Sequence, residues 1–127
     1  MILQPGDWNT LSNRDQRMMQ RARTIALTST ERHKHAAILY KGGRVLAVGI
    51  NSARNQHPTM EIDFSGYTRH AEIATMRATG WWNYDYEGAT LYVVRVNKSY
   101  DFMLSKPCRD CEKALESNGI KRVVYSV

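Results

Sequence analysis

Residues 89–127 contain two apolar runs, Ala89 to Val96 and Ile120 to Val127, separated by a segment with helical signals. This strand–helix–strand order is the strongest constraint on the fold. Two strands of one sheet joined through a helix lie parallel with a right-handed crossover, and a parallel pair needs cover on its faces. Pro107 stands where a proline opens a helix, Cys108 to Ser117 form that helix, and Gly119 stands at its C′ position. Upstream, Ala36 to Lys41 and Arg44 to Ile50 flank Gly42-Gly43, a two-residue hairpin signal that adds an antiparallel pair.

Two further helices complete the order. In residues 12–28 Met18, Ala22, Ile25 and Ala26 recur at helical spacing, and Ser12 with Asp15 resembles a capping box. Residues 51–67 read as a loop. His70 to Thr79 then turns helical, with Thr68 as N-cap and Gly80 closing it. The predicted order of helix, hairpin, helix, strand, helix, strand gives an α/β fold in three layers, a mixed sheet with helices on both faces.

At 127 residues the chain has the length of a single domain, 1–127, and with 43% hydrophobic residues it can bury a core. Met1 to Asp7 lack the basic and apolar regions of a secretory signal, and no apolar run nears the roughly 20 residues of a spanning helix. A cytoplasmic protein without a membrane partner is expected. Residues 1–54 hold nine basic residues against three acidic, whereas the remainder is balanced, so an anionic ligand or simply a solvated helix face is expected there. Arg54 and Asn55 are better placed for a phosphate than the arginine-rich first helix. Trp81, Trp82, Tyr84 and Tyr86 read as core or interface aromatics, with base stacking as the alternative.

Helix two opens with His70-Ala71-Glu72 and helix three with Pro107-Cys108-Arg109-Asp110-Cys111. Thiols three residues apart can point the same way, and a helix start favours their ionised form. If both helices follow strands of one sheet, their N-termini meet at its carboxyl edge and His70 joins the two thiolates. One imidazole and two thiolates suit Zn²⁺ and leave a fourth position for water, whose pKa the metal lowers towards about 7. Glu72, two residues from a ligand, is the proton shuttle. A redox pair, or a closed structural site completed by His33, His35 or His57, are the alternatives.

The two motifs match, residue for residue, the H-x-E and P-C-x-x-C signature of zinc-dependent base deaminases. The chain thus resembles the cytidine and deoxycytidylate deaminase superfamily. The resemblance extends to Gly49-Ile50-Asn51, Thr90-Leu91-Tyr92-Val93 and Gly119 to Tyr125. It implies a cytidine-deaminase-like fold, His70, Cys108 and Cys111 as zinc ligands, Glu72 as general acid/base, Asn51 as a base or sugar contact and the Ala71 N–H as a donor to the base. It further implies hydrolytic deamination of a cytosine nucleotide such as deoxycytidylate, in a homo-oligomer. A deaminase of cytosine or adenine in single-stranded DNA or RNA, and a non-catalytic module whose zinc joins two helices, are the other readings. Two features depart from the family pattern. Asn97 to Lys106 makes a longer excursion before the Pro-Cys motif, and no fifth strand follows Ile120 to Val127.

Overall fold

The computed structural model describes residues 1–51, 70–79 and 86–127. In chain order these form β1 (Ile2–Pro5), α1 (Asn13–Ala26), β2 (Lys34–Lys41), β3 (Arg44–Ile50), α2 (Ala71–Ala78), β4 (Thr90–Val96), β5 (Phe102–Met103), α3 (Arg109–Ser117) and β6 (Arg122–Tyr125), with a 3-10 turn at Trp8–Thr10. The sheet runs β1-β6-β4-β2-β3, and β5 pairs with β4. β4 and β6 are parallel, as the strand–helix–strand order requires, while β2 is antiparallel to both β3 and β4. Gly42 and Gly43 sit at φ 62° and 84°, the left-handed pair that a tight hairpin turn demands.

Alternation along β4 separates two cores. Leu91 and Val93 pack with Ala71 and Met76 of α2 and Leu115 of α3, whereas Tyr92, Val94 and Val96 pack with Met19, Ala22 and Ala26 of α1. α1 therefore covers one face and α2 with α3 the other, the predicted three layers. α3 ends as expected, for Gly119 has φ 85°, its N–H donates to Glu116 O, and that of Ile120 donates to Leu115 O.

Two strands were not expected. β1 pairs in parallel with β6 from Ile2↔Arg122 to Pro5↔Tyr125, so β6 has a neighbour on each side. Four residues ending in proline are too few to display alternation. The other is β5, through which the Asn97 to Lys106 excursion folds back on Arg95 and Val96, beyond the β4 residues that pair with β6. Asn97 Oδ1 accepts from the N–H groups of Ser99 and Asp101, and Tyr100 takes φ 68°. Arg23 of α1 lies 4.5 Å from the centroids of both the Tyr100 and Phe102 rings, fastening the hairpin to the helix layer.

Helix boundaries also shift. Ser12 caps α1 by accepting the Asp15 N–H, but the carboxylate of Asp15 does not close a capping box. It is buried, accepts from Tyr92 Oη at 2.6 Å, and forms a two-pronged pair with Arg122 at 2.9 Å in each arm. Arg122 also donates to Gln4 Oε1, so one cluster joins α1, β1, β4 and β6. α2 is capped by His70, and the expected cap Thr68 lies outside the described residues, as does Gly80. Among the described residues no helix is long and apolar enough to cross a membrane.

Burial alone would raise the Asp15 carboxyl, but hydrogen bonds from Arg122 and Tyr92 outweigh it and bring its pKa from 3.8 down to about 2. A depressed native pKa contributes stability that is complete above the unfolded value and lost as pH falls through the folded one, here up to about 2.5 kcal/mol. Asp15→Asn is expected to lower unfolding free energy at pH 7 by about 2 kcal/mol, with the gap from wild type closing between about pH 5 and pH 2. Urea titrations across that range check it, and a gap independent of pH would assign the loss to packing.

Candidate active site

The carboxyl ends of β3 and β4 lie at one edge of the sheet, because both run antiparallel to β2. α2 lies very close to β3 there. A Cβ on Gly49 would fall 2.5 Å from both the N and Oγ1 of Thr75 and 2.9 Å from Ala71 O, so only glycine permits this approach. Thr75 Oγ1 is itself taken by Ala71 O at 2.7 Å. The start of α2 is thereby pinned to the sheet.

His70 has extended N-cap geometry, and its side chain makes no capping hydrogen bond. The imidazole turns instead towards α3, its Nδ1 3.2 Å from Cys111 Sγ and 3.7 Å from Cys108 Sγ. Cys108 is the N-cap of α3 rather than its first residue, with ψ 165° and its sulfur accepting the Cys111 N–H at 3.4 Å. Pro107 accordingly precedes the cap instead of opening the helix. The thiol serves as a capping acceptor, which is why the sequence pattern alone places the helix start one residue early.

The three donor atoms lie within 4.8 Å of one another. Tetrahedral Zn²⁺ with sulfur at about 2.3 Å and nitrogen at about 2.0 Å separates nitrogen from sulfur by roughly 3.5 Å, and the two observed His70–cysteine distances, 3.2 and 3.7 Å, lie on either side of it. The donor set therefore fits zinc. The thiols are not equivalent. A hydrogen bond from Cys111, aided by His70 and the Cys111 N–H, holds the Cys108 thiol down at about 4 despite some burial, while donating to Cys108 and burial push Cys111 up. A hydrogen bond with Cys108 raises His70 above its usual value against the effect of burial.

Glu72, on the first turn of α2, is 5% exposed, and burial raises its carboxyl above the ordinary range. It borders a cavity of about 510 Å³ lined, among the described residues, by His70, Ala71, Cys108, Asn51, His35 and Ser105, with Glu31, Arg32, His33 and Lys106 also contributing. The Ala71 N–H belongs to the helix turn whose donors lack intrahelical partners. Asn51, reached directly from β3, is largely committed. Its Oδ1 accepts from Ser29 Oγ at 2.7 Å and the His35 N–H at 3.0 Å, and its Nδ2 donates to His33 O at 2.6 Å.

His33 and His35 do not complete a closed metal site. His33 Nδ1 faces Arg95 at 2.9 Å, His35 Nδ1 faces Ser105 Oγ at 3.2 Å, and neither joins the His70–Cys108–Cys111 group. Burial, reinforced by Arg95, His70 and His33, lowers His35 to about 4 and keeps it neutral. Arg54, Asn55, His57, Trp81, Trp82 and Tyr84 lie outside the described residues, whereas Tyr86 is core. Sequence reasoning missed Ser105, Lys106 and His35 as cavity residues. The available signal was that an excursion running straight into Pro107-Cys108 must end beside the cysteines.

A profile of the cytidine and deoxycytidylate deaminase zinc-binding region matches residues 12–127. The chain belongs to this family. Its fold is that of the dCMP deaminase from cyanophage S-TIM5, whose apo structure superposes with a TM-score of 0.68 at 23% identity, over 91% of this chain and 84% of that one. The same phage enzyme in complex with dCMP and dUMP gives 0.68 over 92% and 85%. Guanine deaminase from Bacillus subtilis follows with a TM-score of 0.56 at 20% identity, over 91% of this chain and 64% of that one. At such identities the likeness is one of fold. No curated protein sequence matches the chain. Membership in a zinc-binding deaminase family and the donor geometry agree that His70, Cys108 and Cys111 could hold the metal.

Two outcomes are expected. Cys108→Ser and Cys111→Ser each lose most bound zinc and melt at lower temperature, because the metal joins two helix starts; elemental analysis of the purified variants checks this. Gly49→Ala forces α2 off β3, costs about 1 to 3 kcal/mol and weakens zinc binding as His70 is displaced, measured by denaturant unfolding and chelator competition.

Proposed function

We propose that the chain catalyses hydrolytic deamination of a free cytosine nucleotide, deoxycytidylate or a close relative, giving the uracil form and ammonia. The observation that carries this is the meeting of three zinc-type donors with the buried carboxyl of Glu72 on the wall of one cavity. When bound, zinc supplies a Lewis acid that makes water nucleophilic near neutral pH. Everything else falls to side chains and backbone of this chain. Glu72 takes a proton from the attacking water and passes it to the ring nitrogen as the C–O bond forms at C4. It then takes the remaining proton of the new C4 hydroxyl and passes it to the amine, so that the C–N bond breaks, the ring carbonyl forms and ammonia leaves.

Burial raises the Glu72 carboxyl above the ordinary carboxylate range, which makes it a stronger proton acceptor for this traffic. We assign the Ala71 N–H to the base carbonyl and the remaining Asn51 N–H to the base or sugar, with Arg54 and Asn55 as further contacts. A cavity of this volume suits one nucleotide. The phage enzyme of the same fold was crystallised with dCMP and dUMP, which favours a cytosine nucleotide over a purine.

Ammonia release from deoxycytidylate, deoxycytidine, guanine, adenosine and a cytosine-bearing oligodeoxynucleotide tests the reading, with fastest turnover expected on deoxycytidylate. Efficient reaction of the oligonucleotide or of guanine in its place overturns the substrate assignment. Glu72→Ala is expected to keep its zinc and fold yet lose at least about 10² to 10⁴ of the rate. Undiminished turnover removes Glu72 from the chemistry, and loss of zinc makes it a ligand.

A further inference from the structure

The 97–106 hairpin is fixed at several points before it reaches the cavity. β5 pairs with Arg95 and Val96, Arg23 clasps Tyr100 and Phe102, and Thr24 Oγ1 meets Tyr100 Oη at 2.7 Å. At its end Ser105 is 4% exposed, its N–H donates to Ser126 O at 2.9 Å, and its hydroxyl faces His35. Pro107 is buried on the other side. Lys106 thus stands exposed between two immobilised neighbours, its own backbone narrowed to extended conformations by the proline that follows. The lysine lines the cavity together with Ser105 and Cys108.

Arg32, from the segment ahead of β2, lines the same cavity and is also exposed. Among the described residues neither cation has an ion pair or a hydrogen bond, in contrast to Arg23 and Arg122, which are committed to structure. Glu31 and, deeper in the site, Glu72 are the acidic side chains that line the cavity with them among the described residues. Two uncommitted cations on the wall of a cavity that also presents the hydrogen-bonding side chains of His33, His35, Asn51 and Ser105 make a rim able to hold an anion.

We propose that Lys106, assisted by Arg32, is the contact for the 5′-phosphate of a single nucleotide, and that the hairpin is the element selecting nucleotide over nucleoside. This rests on the deaminase reading and adds to it a residue outside both motifs. The phosphate of a free nucleotide and that of a polynucleotide share chemistry, so the two are separated by substrate.

The test compares wild type, Lys106→Ala and Lys106→Arg, all zinc-loaded, on deoxycytidylate, deoxycytidine and a short cytosine-bearing oligodeoxynucleotide. For Lys106→Ala the ratio of kcat/KM on deoxycytidylate to that on deoxycytidine is expected to fall about ten- to a hundredfold, chiefly through KM, as loss of a charge-assisted hydrogen bond would give. Lys106→Arg is expected to restore most of it. An unchanged ratio overturns the proposal, and so does an effect confined to the oligonucleotide. Calorimetry with deoxyuridylate and deoxyuridine gives a readout independent of catalysis. If no substrate releases ammonia, the deaminase reading fails, yet tighter binding of deoxyuridylate that Lys106→Ala abolishes still supports the phosphate contact. Equal affinity for the two products, or binding of neither, overturns it.

Discussion

The closeness of α2 to β3 at Gly49 decides where everything else in the site falls. Because no side chain stands between the strand and Thr75, the helix lies on the sheet and its start is held beside the carboxyl ends of β3 and β4. His70 caps that helix with its backbone and keeps its ring for the cysteines. Glu72, in the first turn, is carried below the surface, where desolvation shifts its proton affinity. A helix a little further from the sheet would present the same residues to solvent as an ordinary polar face.

The motifs were legible because they depend on local chemistry. H-x-E and P-C-x-x-C place donors at helix starts whatever the rest of the chain does, and the Gly42-Gly43 turn and the Gly119 stop follow from backbone conformations that favour glycine. What escaped sequence reading depends on distant partners. β1 is a strand only because β6 offers it an edge, and β5 only because β6 stops short and leaves the end of β4 unpaired. Asp15 resembled a capping residue, but its carboxylate serves Tyr92 and Arg122. The cap role of Cys108 was concealed because a thiol is an unusual capping acceptor and proline suggested the helix start.

The basic excess of the first 54 residues also resolves into separate tasks. Arg14 sits 5.1 Å over the Tyr40 ring and Arg23 between two rings of the hairpin, so part of that charge is used for packing. Among the described residues Arg32 has no such occupation, and it stands at the cavity. Net charge alone could not make that distinction, since it weighs a guanidinium stacked on an aromatic ring the same as one open to an anion.

The pairing of β1 with β6 has a bearing on the order of folding. The partners Ile2 and Arg122 are separated by nearly the whole sequence, as are Asp15 and the guanidinium it binds. Until β6 is in place, β1 has no edge to join and the Asp15 carboxylate lacks its Arg122 counter-charge, although the β2–β3 hairpin and α1 rest on contacts closer in sequence. Slow closure of such long-range contacts leaves the edge of β4 that β6 will cover open to other chains in the interval.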